Sequence, residues 1–122
     1  MARRPNGWTV LVADDDEPLR ETLTELLWLE GFTVATARDG LEAVFAAVRM
    51  RPSVVLLDMK MPKVDGWNFA DHLRANRLTV PIVVMSAVVD PKETARKIGA
   101  KGWVSKPFEV EDLLLTVYRA CA

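Results

Sequence analysis

Two spacings of apolar residues alternate along this chain. Short apolar runs at Trp8 to Ala13, Thr33 to Ala37, Val54 to Leu57, Ile82 to Met85 and Trp103 to Val104 are brief, rich in Val, Ile and Leu, and bounded by breakers. Such runs read as buried strands. Between them the apolar residues fall at helical intervals: Leu19, Leu23, Leu26 and Leu27; then Leu41, Val44, Phe45 and Val48; then Phe69, Ala70 and Leu73. Each set predicts a helix with one apolar stripe against the core. A short fourth helix is expected from Pro91, which suits a first helical turn, to Ile98, with Gly99 as its stop. A fifth carries Leu113, Leu114 and Val117. Trp28 and Trp67 sit at helical spacing and are expected to pack on helix faces. A strand and a helix repeated five times predict an α/β fold, with a parallel five-stranded sheet, helices on both faces and right-handed crossovers. No linker or repeat interrupts the pattern, so residues 1–122 are read as one domain.

Composition narrows the classes. The chain holds 16 basic and 17 acidic residues for a net charge of −1, spread along its length. Without a basic stripe, direct nucleic-acid binding is not expected. The one cysteine, Cys121, cannot form an internal disulfide, and no Cys/His cluster offers a zinc site. The two arginines near the start precede no apolar signal region, and no apolar run approaches the ~20 residues that span a bilayer. A cytoplasmic protein without membrane contact is expected.

In an open parallel sheet, ligands bind beyond the carboxyl ends of the strands. In this chain those positions hold Asp14 and Asp15 after the first run, Asp58 after the third, Ser86 after the fourth and Lys106 after the fifth. The second run ends in Asp39-Gly40, which reads as turn and helix-start chemistry instead. Asp16 is expected to cap the first helix, where a carboxylate suits unpaired amides and the dipole. His72 has no metal-ligand neighbour at helical spacing and reads as structural or solvated.

The stretches "VLVADDDEPLRETL", "LLDMKMPKVDGW", "VVMSA" and "GWVSKPF", in this order, resemble the receiver (CheY-like) domain of bacterial two-component response regulators. Nearly the whole chain takes part. The resemblance implies a flavodoxin-like sheet in the order 2-1-3-4-5. It further implies that Asp58 accepts a phosphoryl group from a phosphohistidine on a sensor histidine kinase or a histidine phosphotransfer protein. In that order strands one and three are neighbours, which gathers Asp14, Asp15 and Asp58 at one switch point. Two carboxylates ~4 Å apart repel by ~4 kcal/mol at an effective dielectric near 20. A cation relieves this, and an all-oxygen ligand set facing a phosphoryl group favours Mg²⁺, with Mn²⁺ possible.

By the same resemblance Asp15 and Asp58 ligate the metal directly, Asp14 acts largely through water, and the Lys60 backbone carbonyl completes the set. Lys106 is the second cation, and its bond to Pro107 matches a cis position. Ser86 donates its hydroxyl to the phosphoryl group, and Trp103 stands where the switch aromatic is more often Tyr or Phe. Phosphorylation then alters the surface of the fourth helix, fifth strand and fifth helix for an unidentified output domain or target protein. Lys60 and Val88 occupy positions that modulate attack of water on the acyl phosphate. The segment from Ser86 to Trp103 is shorter than is usual in the family, which points to a reduced fourth helix or preceding loop.

Two other readings compete. "VADDDEP" also fits the Asp-x-Asp pattern of haloacid-dehalogenase-like phosphohydrolases, with Asp14 as nucleophile, Asp16 as acid/base, Ser86 as the hydroxyl residue and Lys106 as the lysine. Pro18 stands where that family has Thr or Val, and no substrate-selecting cap fits in the chain. A degenerate receiver that binds partners without phosphorylation requires loss of a key residue, and all are present.

Overall fold

Each apolar run becomes a strand and each helical stripe a helix in the computed structural model, which describes residues 3–61, 63–87 and 90–122. The elements follow as β1 (Thr9–Ala13), α1 (Glu17–Leu29), β2 (Thr33–Ala37), α2 (Gly40–Met50), β3 (Val54–Asp58), α3 (Gly66–Ala75), β4 (Ile82–Ser86), α4 (Pro91–Ile98), β5 (Gly102–Ser105) and α5 (Val110–Cys121). The strands form one sheet in the order β2-β1-β3-β4-β5, with every pairing parallel. This is the flavodoxin-like order. Trp8 falls just outside β1, while β3 and β4 each extend one residue further than expected, into Asp58 and Ser86.

Aspartate starts four of the five helices. Asp16, Asp39, Asp65 and Asp90 accept hydrogen bonds from the amides of Leu19, Glu42, Asn68 and Glu93 at 3.2, 2.9, 3.0 and 3.1 Å. Each satisfies an amide that the helix itself cannot, a contribution of about 1 kcal/mol per cap. Asp16 is thus a cap, as its position implied. Pro91 lies in the first turn of α4, and Gly99 ends that helix with φ 75°, a left-handed conformation that favours glycine.

The alternation of side chains along the strands divides the core into two layers. Leu11, Val55, Leu57, Ile82 and Val84 face α2, α3 and α4, where they meet Ala43, Ala47, Phe69, Leu73, Ala95 and Ile98. Val10, Val12, Leu56, Val83, Met85 and Val104 face α1 and α5, where they meet Leu23, Leu27, Leu113 and Val117. Two expectations fail here. In α2 the face turned to the sheet is Gly40, Ala43 and Ala47, and of the expected stripe only Val44 packs against it; Leu41, Phe45 and Val48 are exposed. A Cβ on Gly40 would overlap the Val64 carbonyl oxygen, so the start of this helix sits too close to its neighbours for a large side chain. Trp28 and Trp67 are likewise half exposed instead of buried on their helix faces. Trp28 carries the Arg3 guanidinium 5.0 Å from its ring centre, a cation–π contact. His72 is exposed in α3, in line with the solvated reading.

Candidate functional site

Strand register assembles the site. Ala13 of β1 pairs with Leu57 of β3, so Asp14 emerges beside Asp58 at the carboxyl edge. Asp58 pairs with Met85, and Ser86 pairs with Ser105, which brings Ser86 and Lys106 to the same edge from the other side. The Lys106 amide also donates to the Ser86 carbonyl at 2.8 Å. The bond from Lys106 to Pro107 is cis, as the resemblance implied.

Side chains converge within this edge. Asp14 is wholly buried, Asp58 is 7% exposed and Ser86 3%. Asp14, Asp15 and Asp58 each present a carboxylate oxygen within 4.8 Å of the other two. Lys106 Nζ bonds Asp14 Oδ2 at 2.8 Å and lies 3.6 Å from Asp58 Oδ1. Lys106 thus meets two of the three carboxylates. Burial, then the charge of Asp14, pushes Asp58 up to about 6, against the pull of the Lys60 amide and Lys106. On Lys106 burial acts to lower the pKa, but the Asp14 and Asp58 carboxylates outweigh it and the net shift is upward. The ammonium form is therefore favoured. An all-oxygen donor set with an excess of negative charge fits a hard divalent cation.

The turns are fixed as well as the side chains. Asp14 Oδ1 accepts the Asp16 amide at 2.9 Å, and Asp58 Oδ1 accepts the Lys60 amide at 3.2 Å. Lys60, expected through its carbonyl, thus also contributes its N–H. Arg20, which sequence reasoning passed over, reaches back from α1 so that Nη1 donates to the Asp14 carbonyl at 2.9 Å. Its only signal was a basic residue one turn into the helix after the acidic cluster. Lys63, also missed, pairs with Asp39 at 3.3 Å and ties the loop after β3 to the start of α2. Met59 lies against Gly66, where a Cβ would overlap its sulfur. Trp103, the expected switch aromatic, is 41% exposed and lines a surface groove with Phe108, Leu115 and Thr116. Val88, expected to modulate hydrolysis, lies outside the described residues.

A five-stranded parallel sheet carrying at its carboxyl edge an acidic triad, with Asp14 and Asp58 buried and Asp15 exposed, and a lysine beside it defines a flavodoxin-like protein whose edge suits a phosphoryl group or a hard cation. The family model described as "Response regulator receiver domain" matches residues 10–118, and the chain belongs to that family. It is 41% identical over 110 residues to the transcriptional regulatory protein PrrA of Mycobacterium tuberculosis, covering 88% of this chain and 47% of the relative. It is 36% identical over 117 residues to the probable transcriptional regulatory protein TcrX of the same organism, covering 93% of this chain and 50% of the relative. The chain therefore spans about half the length of these relatives. Among solved structures, the chemotaxis response regulator CheY4 of Vibrio cholerae superposes with a TM-score of 0.85 at 33% identity, covering 93% of this chain and 98% of the other. The receiver domain of the Francisella response regulator 1452 gives 0.87 at 28% identity, covering 94% and 97%. Receivers of this family act as phosphorylation-dependent switches. Membership displaces the hydrolase reading, and Asp16, its acid/base, is engaged as the cap of α1. No helix among the described residues is long and apolar enough to cross a membrane.

Proposed function

We propose that Asp58 is the phosphoryl acceptor of this switch and that its donor is a phosphohistidine on a sensor histidine kinase or phosphotransfer protein. The observation that carries this is the position of Asp58 at the end of β3, among the carboxylates of Asp14 and Asp15 and 3.6 Å from Lys106. An Asp58 oxygen attacks phosphorus, the phosphorus–nitrogen bond to the imidazole breaks, and the histidine leaves on its own protein. In phosphoryl transfer the protein's work is alignment and charge balance at the equatorial oxygens. The Asp14 pair aims the Lys106 ammonium at the site, where it balances one unit of phosphoryl charge. The Lys60 amide holds Asp58 Oδ1 and thereby orients the attacking carboxylate. Asp14, Asp15 and Asp58, with the Lys60 carbonyl, would hold Mg²⁺ or Mn²⁺. When bound, that ion supplies the second share of charge neutralisation. Ser86 and Trp103 then transmit the change to the surface of α4, β5 and α5, which an output domain or target protein reads.

The test is chemical phosphorylation. Acetyl phosphate or phosphoramidate with Mg²⁺ should add one phosphoryl group by intact mass, peptide mapping should place it on Asp58, and Asp58→Asn should abolish it. Label on Asp14 would return the case to the hydrolase. Label that forms equally well in EDTA would remove the metal from the reading.

A further inference from the structure

Three large apolar residues of α2 point away from the protein. Leu41 is 44% exposed, Phe45 68% and Val48 40%, while the sheet side of the same helix is filled by Gly40, Ala43 and Ala47. Their spacing, four residues and then three, is that of a coiled-coil seam, which another helix can fill by knobs into holes. One position after each outer member of the stripe stands a charge: Glu42 after Leu41 and Arg49 after Val48. Both lie on one flank of the seam. Glu42 pairs with Arg38 at 3.0 Å, and Arg49 has no ion-pair partner among the described residues.

We propose that this face is a self-association site, and that its occupant is α2 of a second copy of this chain, running antiparallel across a two-fold axis. A two-fold interface must be complementary to itself. The α2 stripe is. When the two helices run antiparallel, Phe45 packs beside Val48 of the second copy, and Glu42 comes beside Arg49 of the second copy, twice by symmetry. A parallel arrangement sets flank residues of opposite sides against each other, so neither charge meets its opposite. The antiparallel form also aligns the two helix dipoles favourably, acidic starts against basic ends. An 11-residue helix is only about 16 Å long, so the seam holds two or three layers and the contact is small. The dimer is weak and concentration-dependent.

The measurement is sedimentation equilibrium of the chain from about 10 μM to about 1 mM, the range in which small interfaces dissociate. The average mass should rise toward that of a dimer over this range. Phe45→Glu should remain monomeric throughout while keeping its far-ultraviolet dichroism. Glu42→Arg and Arg49→Glu should each weaken association by about five- to twentyfold, the scale of two exposed ion pairs lost and replaced by repulsion. An equimolar mixture of those two variants should associate again, because one chain then carries two positive charges on its flank and the other two negative ones. A chain that stays monomeric at the highest concentration overturns the proposal. A dimer that survives Phe45→Glu also overturns it, since it must form through another face such as Trp103 and Leu115, and a mixture no stronger than its components rejects the antiparallel register.

Discussion

Asp58 is held in a position that is costly for a carboxylate. It is nearly buried, it shares a 4.8 Å cluster with Asp14 and Asp15, and the one lysine present bonds Asp14 more closely than it approaches Asp58. Its pKa of about 6 in the folded chain exceeds the ~3.9 of an unfolded aspartate. Below the unfolded value both states carry the proton. Between the two values only the folded state keeps it, so the associated stability is present at low pH and is lost as pH rises through about 6. Asp58→Asn removes the charge while preserving the shape. In EDTA at neutral pH this variant should therefore be more stable than the wild type, by about 1–2 kcal/mol once screening at the cleft mouth is allowed for. Urea unfolding at several pH values checks it: the difference should shrink toward pH 4, and Mg²⁺ should also narrow it by stabilising the wild type. An Asp58→Asn variant less stable than wild type in EDTA at pH 7 would show that the acidic cluster is not repulsive in the free chain.

At the scale of elements, the loop after β3 is tied to the start of α2, so Asp58 and this helix are mechanically connected. Lys63 pairs with Asp39, the cap of α2, and Gly40 lies against the Val64 carbonyl. Alanine has the higher helix propensity, by about 1 kcal/mol, so Gly40→Ala on an isolated helix would be stabilising. Here the added methyl meets backbone, which has little room to move. The variant should lose more than about 2 kcal/mol in urea unfolding, the scale of core overpacking. A neutral or stabilising result would mean that loop and helix separate easily. This contact also marks the limit of what the sequence could convey. The strands were legible because their runs are short and uniformly apolar, and the acidic edge was legible because each chemical residue directly follows such a run. The caps Asp16 and Asp39 declared themselves by position. The orientation of α2 did not, because hydrophobicity favoured Leu41, Phe45 and Val48, while close approach at Gly40 made small residues the ones that fit. Arg20 and Lys63 escaped notice for a related reason: each acts on a segment brought near by folding, with no local motif to announce it.

For the whole molecule, the question is how a change at Asp58 reaches the surface. Ser86 ends β4, Lys106 directly follows β5, and β5 carries Trp103 three residues before Lys106, so one short strand joins the proposed phosphoryl site to the exposed ring. In the proposed switch the Ser86 hydroxyl moves toward phosphorylated Asp58, and the ring of Trp103 turns into the space released. The surface of α4, β5 and α5 is remodelled in consequence. Such a change is a shift between two populations, limited to the difference with which the phosphoryl group binds them. One hydrogen bond to a charged acceptor supplies ~1.5–3 kcal/mol, a bias of roughly ten- to a hundredfold. Trp103 is a convenient reporter because its ring is 41% exposed and therefore has further burial to gain. Replacing Trp8, Trp28 and Trp67 by Phe isolates its fluorescence; Trp28 and Trp67 are half exposed, and at Trp8 a phenyl ring keeps the stacking on Phe32. Adding Mg²⁺ and then beryllofluoride, a phosphoryl mimic, should shift the Trp103 emission to the blue and protect it from an aqueous quencher. Ser86→Ala should diminish that second response while leaving Mg²⁺ binding nearly unchanged, since the metal is assigned to carboxylates and a carbonyl. If Trp103 gives no response in a folded variant that still accepts phosphate at Asp58, the coupling does not run through this ring. The connection from the loop after β3 through Lys63 and Asp39 into α2 would then be the next route to test.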